Sequence, residues 1–303
     1  MGNEKKLSFK TKLGYAIGQM TDSTGYNVYY FFFLFFLTDF AGVPAGIAGT
    51  ISLIAIMWDA VTDPIVGNIS DNLKSPYGRR RPLMIGATIP YAICTFLLFN
   101  NVSFGEDAKF VYFVVLAILF WSCYKTYVIP YFALGAELTD DFNERTSLRS
   151  YASVFLQLAV MLASAAPPLI LEMAGKAGLQ GAKGWNAVGL IFGVIIIISS
   201  FICWYCTKGG ELIERTSEEN IEDAEQEKNG LIRSFIDILK LKPALLLAIS
   251  VFLWNVTVIF MSSGAVYALT SLLNASAAEQ STAFFVQTAM GIIWIPVVTI
   301  CAN

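Results

Sequence analysis

Long, nearly uncharged apolar stretches constrain the fold of this sequence more than any other feature. The stretch from 82 to 102 contains no Asp, Glu, Lys or Arg at all. A helix needs about 20 mostly apolar residues to cross a bilayer. We therefore predict eight membrane segments, with these approximate ranges: 13–38, 43–69, 82–102, 110–136, 148–171, 187–206, 243–273 and 282–302.

The composition agrees with a membrane protein. Of the 303 residues, 56% are hydrophobic and only 14% are charged, whereas soluble domains average about 25% charged residues. The apolar stretches are continuous and do not alternate with polar residues, which favours helices over a transmembrane barrel. The sequence thus predicts an all-α polytopic membrane protein that lies in the lipid bilayer.

Basic residues are distributed very unevenly between the predicted loops. Sixteen of the 20 Lys and Arg residues fall on the side that holds the N-terminus, and only Lys109, Lys176 and Lys183 fall on the other side. Because cytoplasmic loops are enriched in Lys and Arg, we predict a cytoplasmic N-terminus in the cell membrane.

The segments divide the chain into three parts. Residues 1–206 form a bundle of six segments, 207–242 a charged cytoplasmic linker, and 243–303 two further segments. Apolar residues recur at helical spacing within 231–241, which predicts an amphipathic helix at the end of the linker. Six segments and a linker resemble half of a common transporter plan. We therefore expect the remaining helices of the second bundle in a longer full-length chain.

Two acids in the second segment are unusual for a membrane helix. Asp59 and Asp63 are four residues apart, so they share one helix face, and Pro64 cannot donate a hydrogen bond to the carbonyl of Ala60. These oxygens suit a sodium ion or a proton. The alternative is that both acids are solvated or paired with basic loop residues.

Lys125 is the single basic residue placed deep within an apolar segment. A buried lysine needs an anion to remain charged. One hypothesis makes it a tethered cation in or beside the acid pair, and another makes it the receptor for a substrate carboxylate. Snorkelling to the interface is the alternative, but Lys125 is central in its segment.

The first segment carries a candidate sugar site. Asp22, Tyr26 and one of the later tyrosines, such as Tyr30, share a helix face. A carboxylate accepts hydrogen bonds from hydroxyl groups, and aromatic rings contact the C–H faces of a sugar. Packing or interface anchoring is the alternative role for the tyrosines.

An enzyme is disfavoured by what the sequence lacks. It contains no histidine, and it shows no nucleophile–base set or phosphate-binding loop. We expect no cofactor other than a coupling ion, Na⁺ or H⁺, and no nucleic-acid partner.

Several motifs resemble the glycoside–pentoside–hexuronide:cation symporter family of the major facilitator superfamily. The resemblance covers about residues 7–206. It is carried by these motifs: Thr38-Asp39, Trp58-Asp59-Ala-Val-Thr-Asp63-Pro64, Gly67-x-x-x-Asp71, Tyr77-Gly78-Arg-Arg-Arg-Pro82, Ile129-Pro130-Tyr131 and Glu144-Arg145-Thr146-Ser147-Leu148.

The resemblance implies a twelve-helix alternating-access carrier that moves a sugar or uronate with sodium or a proton. It implies cation binding at Asp59 and Asp63, and a position near sugar and cation for Tyr124. Two positions depart from the family. Val128 stands where relatives have an acid, and the arginine of segment five is displaced by one turn, to Arg149, where we keep it as a substrate candidate.

The loop after the second segment has a further predicted role. Asp71 with Arg79, Arg80 and Arg81 can bridge cytoplasmic helix ends in one state and release them in another, which would gate access. A simple positive-inside anchor is the alternative.

These observations predict a sugar symporter. The competing hypothesis is a truncated, non-transporting membrane protein that acts as a ligand sensor or partner subunit.

Overall fold

The computed structural model describes residues 7–209, except 74, 76 and 101, and residues 242–302. Within these ranges the chain forms helices and no strand. The amphipathic helix predicted at 231–241 lies outside the described residues. The helices are α1 Phe9–Val28, α2 Ala45–Asn72, α3 Arg81–Leu98, α4 Glu106–Glu137, α5 Phe142–Lys176, α6 Ala182–Cys206, α7 Lys242–Tyr267 and α8 Ala277–Ala302.

Six helical segments of the described residues are long and apolar enough to cross a membrane. They comprise α2 to α6 and the stretch Pro243–Leu272. The predicted segments 13–38 and 282–302 are helical as well, but α1 and α8 do not belong to this set. For α1 the reason is that regular α-helix stops at Val28 and its most apolar part continues in another geometry.

Several helices extend beyond the predicted segments. The fifth segment was expected to begin near 148, but α5 begins at Phe142, because the Asp141 carboxylate caps it by accepting a hydrogen bond from the Glu144 amide at 2.6 Å. Apolar periodicity marks only the part of a helix in the membrane, whereas capping fixes where the helix starts.

The first helix continues past Val28 in two π-helical turns, Tyr29–Phe33 and Phe36–Phe40. A third π-helical turn, Ala268–Leu272, follows α7. Such turns insert one extra residue into a helix and are frequent at functional sites. No sequence signal had predicted them.

The turn that joins α1 to α2 is repeated between α7 and α8. In the first turn the carbonyls of Phe36 and Leu37 accept hydrogen bonds from Ala41 and Val43 at 2.9 and 2.8 Å. In the second, the carbonyls of Ala268 and Leu269 accept from Leu273 and Ala275 at 3.0 and 2.8 Å.

The backbone repeats the same left-handed conformation in both turns. Gly42 has a φ of 68° and Asn274, at the corresponding position, a φ of 48°. Glycine and asparagine tolerate this region better than other residues. The turn between α7 and α8 therefore repeats the geometry of the turn between the first helix and α2.

The six-helix bundle is organised around α1. This helix packs against α5 and α6, while α3 packs between α4 and α6, and α2 packs against α4. Gly18 permits the close approach of α1, since a Cβ there would lie 2.6 Å from Cys203 Sγ of α6 and 2.7 Å from a Tyr131 ring carbon of α4. Small residues serve this role in many membrane bundles.

The last two helices both pack against the six-helix bundle. Helix α8 packs along α5. Helix α7 contacts the first π-helical turn, where Ser263 Oγ donates to the Tyr30 carbonyl at 2.7 Å. It also reaches the second turn, where the Tyr267 and Thr38 hydroxyls are 2.8 Å apart. The fold is thus a six-helix bundle followed by two further helices, in agreement with the predicted arrangement.

Candidate functional site

Asp59 and Asp63 of α2 meet Lys125 of α4. The Lys125 ammonium lies 3.1 Å from Asp59 Oδ1 and 2.7 Å from Asp63 Oδ1. Both acids therefore contact one cation, as expected from their position on one helix face. We call these three residues the central cluster.

A hydrogen bond beside the central cluster fixes the register of α2 against α4. The indole Nε1 of Trp58 donates to Ser122 Oγ at 2.8 Å. Trp58 precedes Asp59, and Ser122 lies about one turn before Lys125 on α4. This contact thus sets where the acids and the ammonium face each other.

The central cluster carries one negative charge in excess, since two carboxylates share one ammonium. The side chains of Lys125, Asp59 and Asp63 are 15%, 24% and 50% exposed in this structure. Both acids pair with Lys125. The sequence had left pairing with basic loop residues as an alternative. In the low dielectric of a membrane protein, such a cluster interacts strongly with any further charge.

Asp22 of α1 lies apart from the central cluster and is buried. Its Oδ1 accepts a hydrogen bond from the Tyr124 hydroxyl at 2.7 Å, and its Oδ2 accepts from the Gln19 amide and from Ser23 Oγ. Both predicted residues, Asp22 and Tyr124, are thus joined directly, and their contact ties α1 to α4. Gln19 was not singled out in the sequence, although its position one turn before Asp22 indicates such a contact.

Aromatic rings extend from this contact toward the central cluster. The Tyr26 ring centroid lies 4.4 Å from that of Tyr30, 6.0 Å from that of Trp121 and 5.9 Å from that of Tyr124. The Lys125 ammonium is 5.9 Å from the Tyr124 ring centroid. We call these four rings the aromatic group. Sequence reasoning missed Trp121, whose signal was its position one turn before Lys125.

Arg149 is not brought to the central cluster. It is exposed in the first turns of α5, and its guanidinium lies 5.3 Å from the Phe132 ring centroid. Phe132 is about two helical turns beyond Lys125 on α4. The structure therefore separates Arg149 from the other predicted substrate residues.

A second ion-pair cluster joins the ends of α2, α3 and α4. Arg80 Nη1 lies 2.5 Å from Asp71 Oδ1, and Arg80 Nε lies 2.9 Å from Glu137 Oε1. Arg79 Nη2 reaches the same Glu137 oxygen at 3.2 Å. We call these four residues the terminal cluster. Glu137 was missed in the sequence, where its signal was an acid at the end of the segment that carries Lys125.

Arg80 is the centre of the terminal cluster. It is buried and also donates from Nη1 to Ser70 Oγ at 2.7 Å. Burial works to lower the pKa of Arg80, but the carboxylates of Asp71 and Glu137 outweigh it and hold the pKa above its usual value. Arg80 therefore stays charged at any physiological pH.

Arg81 serves a different contact from its two neighbours. Its Nη2 donates to the Trp204 carbonyl at 2.5 Å, and its guanidinium lies 5.0 Å from the Trp204 ring centroid. This contact ties α3 to the end of α6. Of the three predicted gating arginines, two therefore bind the α4 acid and the third binds α6.

The chain is similar in sequence to known membrane transport proteins. The family model for MFS/sugar transport proteins matches residues 14–303. An uncharacterized symporter of Synechocystis sp. is 38% identical over 206 residues, which are 61% of this chain and 38% of that protein.

Two relatives come from Escherichia coli. The putative glycoside/cation symporter YagG is 31% identical over 67% of this chain and 44% of its own length. The glucuronide carrier protein homolog is 27% identical over 67% of this chain and 44% of its own length.

The chain spans less than half the length of these curated relatives. The family match nevertheless extends over nearly all of the chain, through both the six-helix bundle and the α7–α8 pair. These relatives are named symporters or carriers and include a glycoside/cation symporter. The chain therefore belongs to the MFS/sugar transport protein family, within the glycoside–pentoside–hexuronide:cation symporters of the major facilitator superfamily.

Proposed function

We propose that this protein is a symporter that moves a sugar, glycoside or hexuronide across the cytoplasmic membrane by alternating access. The coupling ion in this proposal is Na⁺ or H⁺. The observation that carries it is the central cluster, in which two acids of a membrane-spanning helix meet a lysine of another. The family supports membrane transport as the activity.

The electrostatics of the central cluster support a role in coupling. Ionisable residues inside a membrane are costly and commonly mark ion or substrate pathways. An ion that binds one conformation more tightly than another shifts the balance between them. Because the cluster lies between α2 and α4 and carries an excess negative charge, gain or loss of one positive charge would change the energy of that helix contact.

The aromatic group supports a sugar as the substrate. Tyr26 and Tyr30 are half-buried, so their rings are in reach of a ligand beside the bundle. Asp22 already accepts three hydrogen bonds from the protein. In this proposal it therefore orients Tyr124, while the rings contact the substrate. The names of the YagG protein and the glucuronide carrier homolog support glycosides and glucuronides as the class to test.

Lys125 could act in coupling, as a tethered cation beside the acid pair, or it could bind a substrate carboxylate. Its contacts favour the coupling role. Both of its acid partners lie within 3.1 Å, so its charge is already engaged. A substrate carboxylate would have to compete with two fixed carboxylates. A coupling role therefore fits Lys125 better than recognition of an acidic substrate.

The terminal cluster is the proposed gate. The strong bias of basic residues supports a cytoplasmic location for this end of the bundle and for the N-terminus. Ion pairs among α2, α3 and α4 would hold the cytoplasmic helix ends in one state and rearrange in the other. The alternative of a non-transporting sensor is less favoured, since the relatives are named symporters and carriers.

Uptake by the full-length protein in proteoliposomes tests the proposal. A panel of neutral glycosides and hexuronides should be offered, with the sodium gradient and the pH gradient imposed separately. We expect concentrative uptake of at least one member of the panel, driven by one of the two gradients. Uptake of no sugar under either gradient, by protein that is folded, would reject the proposed function.

A further inference from the structure

We infer that the ammonium of Lys125 occupies the position of a coupling cation, so that Asp59 and Asp63 bind no Na⁺ in this protein. The inference rests on the proposed function and makes it more specific. It assigns the central cluster a resident cation that the chain itself supplies, and it leaves sugar transport independent of sodium.

The distances carry this inference. The Lys125 ammonium lies within 3.1 Å of one oxygen from each acid, which is where an ion bridging the two carboxylates would lie. Hard cations such as Na⁺ prefer carboxylate and carbonyl oxygens as ligands. A sodium ion on the same oxygens would come within about 3 Å of the ammonium, where two positive charges repel strongly.

The lysine is held in place by its surroundings. Its side chain is mostly buried, and its ammonium lies beside the Tyr124 ring. The bond from Trp58 to Ser122 fixes α4 against α2 at this level. A tethered cation also has a high effective concentration at its site. Free Na⁺ would therefore have to displace an ammonium group that is covalently attached beside the two acids.

A sodium titration of the full-length protein in detergent tests the inference. The midpoint of thermal unfolding is measured while Na⁺ replaces K⁺ at constant ionic strength and pH. We expect the wild-type midpoint to be the same in both salts. In Lys125→Met, which keeps the length of the stem and removes the charge, we expect Na⁺ to raise the midpoint by about 3 °C or more near saturation.

Lys109→Met is the matched control on the same helix. Lys109 lies near the other end of α4, where its ammonium donates to the Ala41 carbonyl at 2.6 Å. Its replacement removes the same charge far from the acids, so we expect no difference between Na⁺ and K⁺. A further variant, Lys125→Ser, adds a possible oxygen ligand and should respond at a lower sodium concentration than Lys125→Met.

Two results would overturn the inference. One is a saturable sodium response of the wild-type protein that Asp59→Asn removes. The other is a folded Lys125→Met or Lys125→Ser protein without a sodium response. Should neither variant fold, binding of radioactive sodium to the wild-type protein decides the matter: absence of saturable binding agrees with the inference, and binding that depends on Asp59 contradicts it.

Failure of the proposed function gives a different pattern. If no sugar is transported but Lys125→Met gains the sodium response, the transport proposal is rejected, whereas the inference that Lys125 replaces the coupling cation is supported. If sugar uptake by the wild-type protein follows the sodium gradient, transport is correct and the resident cation is wrong.

Discussion

The central and terminal clusters join the same two helices, α2 and α4, yet they differ in charge and in geometry. In the central cluster one ammonium lies between two carboxylates, which leaves one negative charge in excess. In the terminal cluster two guanidinium groups meet two carboxylates, so the charges balance. Two clusters of similar size can therefore have unlike electrostatic roles within one helix pair.

The choice between lysine and arginine matches this difference. Arg80 uses separate nitrogens to bind Asp71 and Glu137, and Nη1 also donates to Ser70. A planar guanidinium holds several partners in fixed directions, whereas an ammonium is a compact charge on a flexible stem. The terminal cluster thus suits a contact between helix ends that has one defined closed geometry. The central cluster suits a site whose charge balance changes during transport.

Neutralising an acid of the central cluster should have the largest effect on transport. We expect Asp59→Asn to reduce concentrative uptake about 100-fold, at the upper range of common coupling energies, because the charge that favours one state is lost. Exchange of sugar across the membrane should persist. The measurement is counterflow and gradient-driven uptake in proteoliposomes.

Asp107→Asn is the control for that variant, because Asp107 is an exposed acid in the first turn of α4. It should keep normal concentrative uptake. Full accumulation by Asp59→Asn would contradict the role given to the central cluster.

Removing the buried arginine should have the largest effect on stability. We expect Arg80→Met to lower the free energy of unfolding by about 3 kcal/mol, because Asp71 and Glu137 lose a shared buried partner. Thermal unfolding in detergent checks this. If Arg80→Met were as stable as the wild type, the terminal cluster would contribute no net stability to the joint between α2, α3 and α4.

Removing the hydrogen bond between Trp58 and Ser122 should have a smaller effect on stability. Trp58→Phe keeps the ring but removes the bond to Ser122 Oγ, and we expect a loss of about 1 kcal/mol in unfolding free energy. Since this bond positions the central cluster, substrate affinity should also fall by a few-fold. Ser122→Ala removes the same bond from the other helix, so the double variant should lose less than the sum of the single losses.

The exposed arginine of the terminal cluster should matter least. Arg79 is 48% exposed where it meets Glu137, and exposed ion pairs contribute at most about 0.5–1 kcal/mol. We therefore expect Arg79→Gln to change the unfolding midpoint only slightly, and less at high salt. A loss as large as that of Arg80→Met would mean that the two arginines act as one unit.

The sequence by itself determined that the chain is a helical, multi-pass membrane protein, and it identified the residues worth testing. Apolar length gave the segments, and spacing along one helix placed Asp59 and Asp63 on one face, because both signals are local. The length of each helix was less certain: α5 begins six residues before its predicted segment, where Asp141 caps it.

Only the tertiary structure decided which of these residues meet. Trp58 and Ser122 are 64 residues apart in the chain, and no local pattern fixes the register of two helices so distant in sequence. The same holds for Lys125 with its two acids, for Glu137 with Arg80, and for Asp22 with Tyr124. Such contacts depend on how side chains interlock between helices, and that is a property of the packed bundle rather than of any one segment.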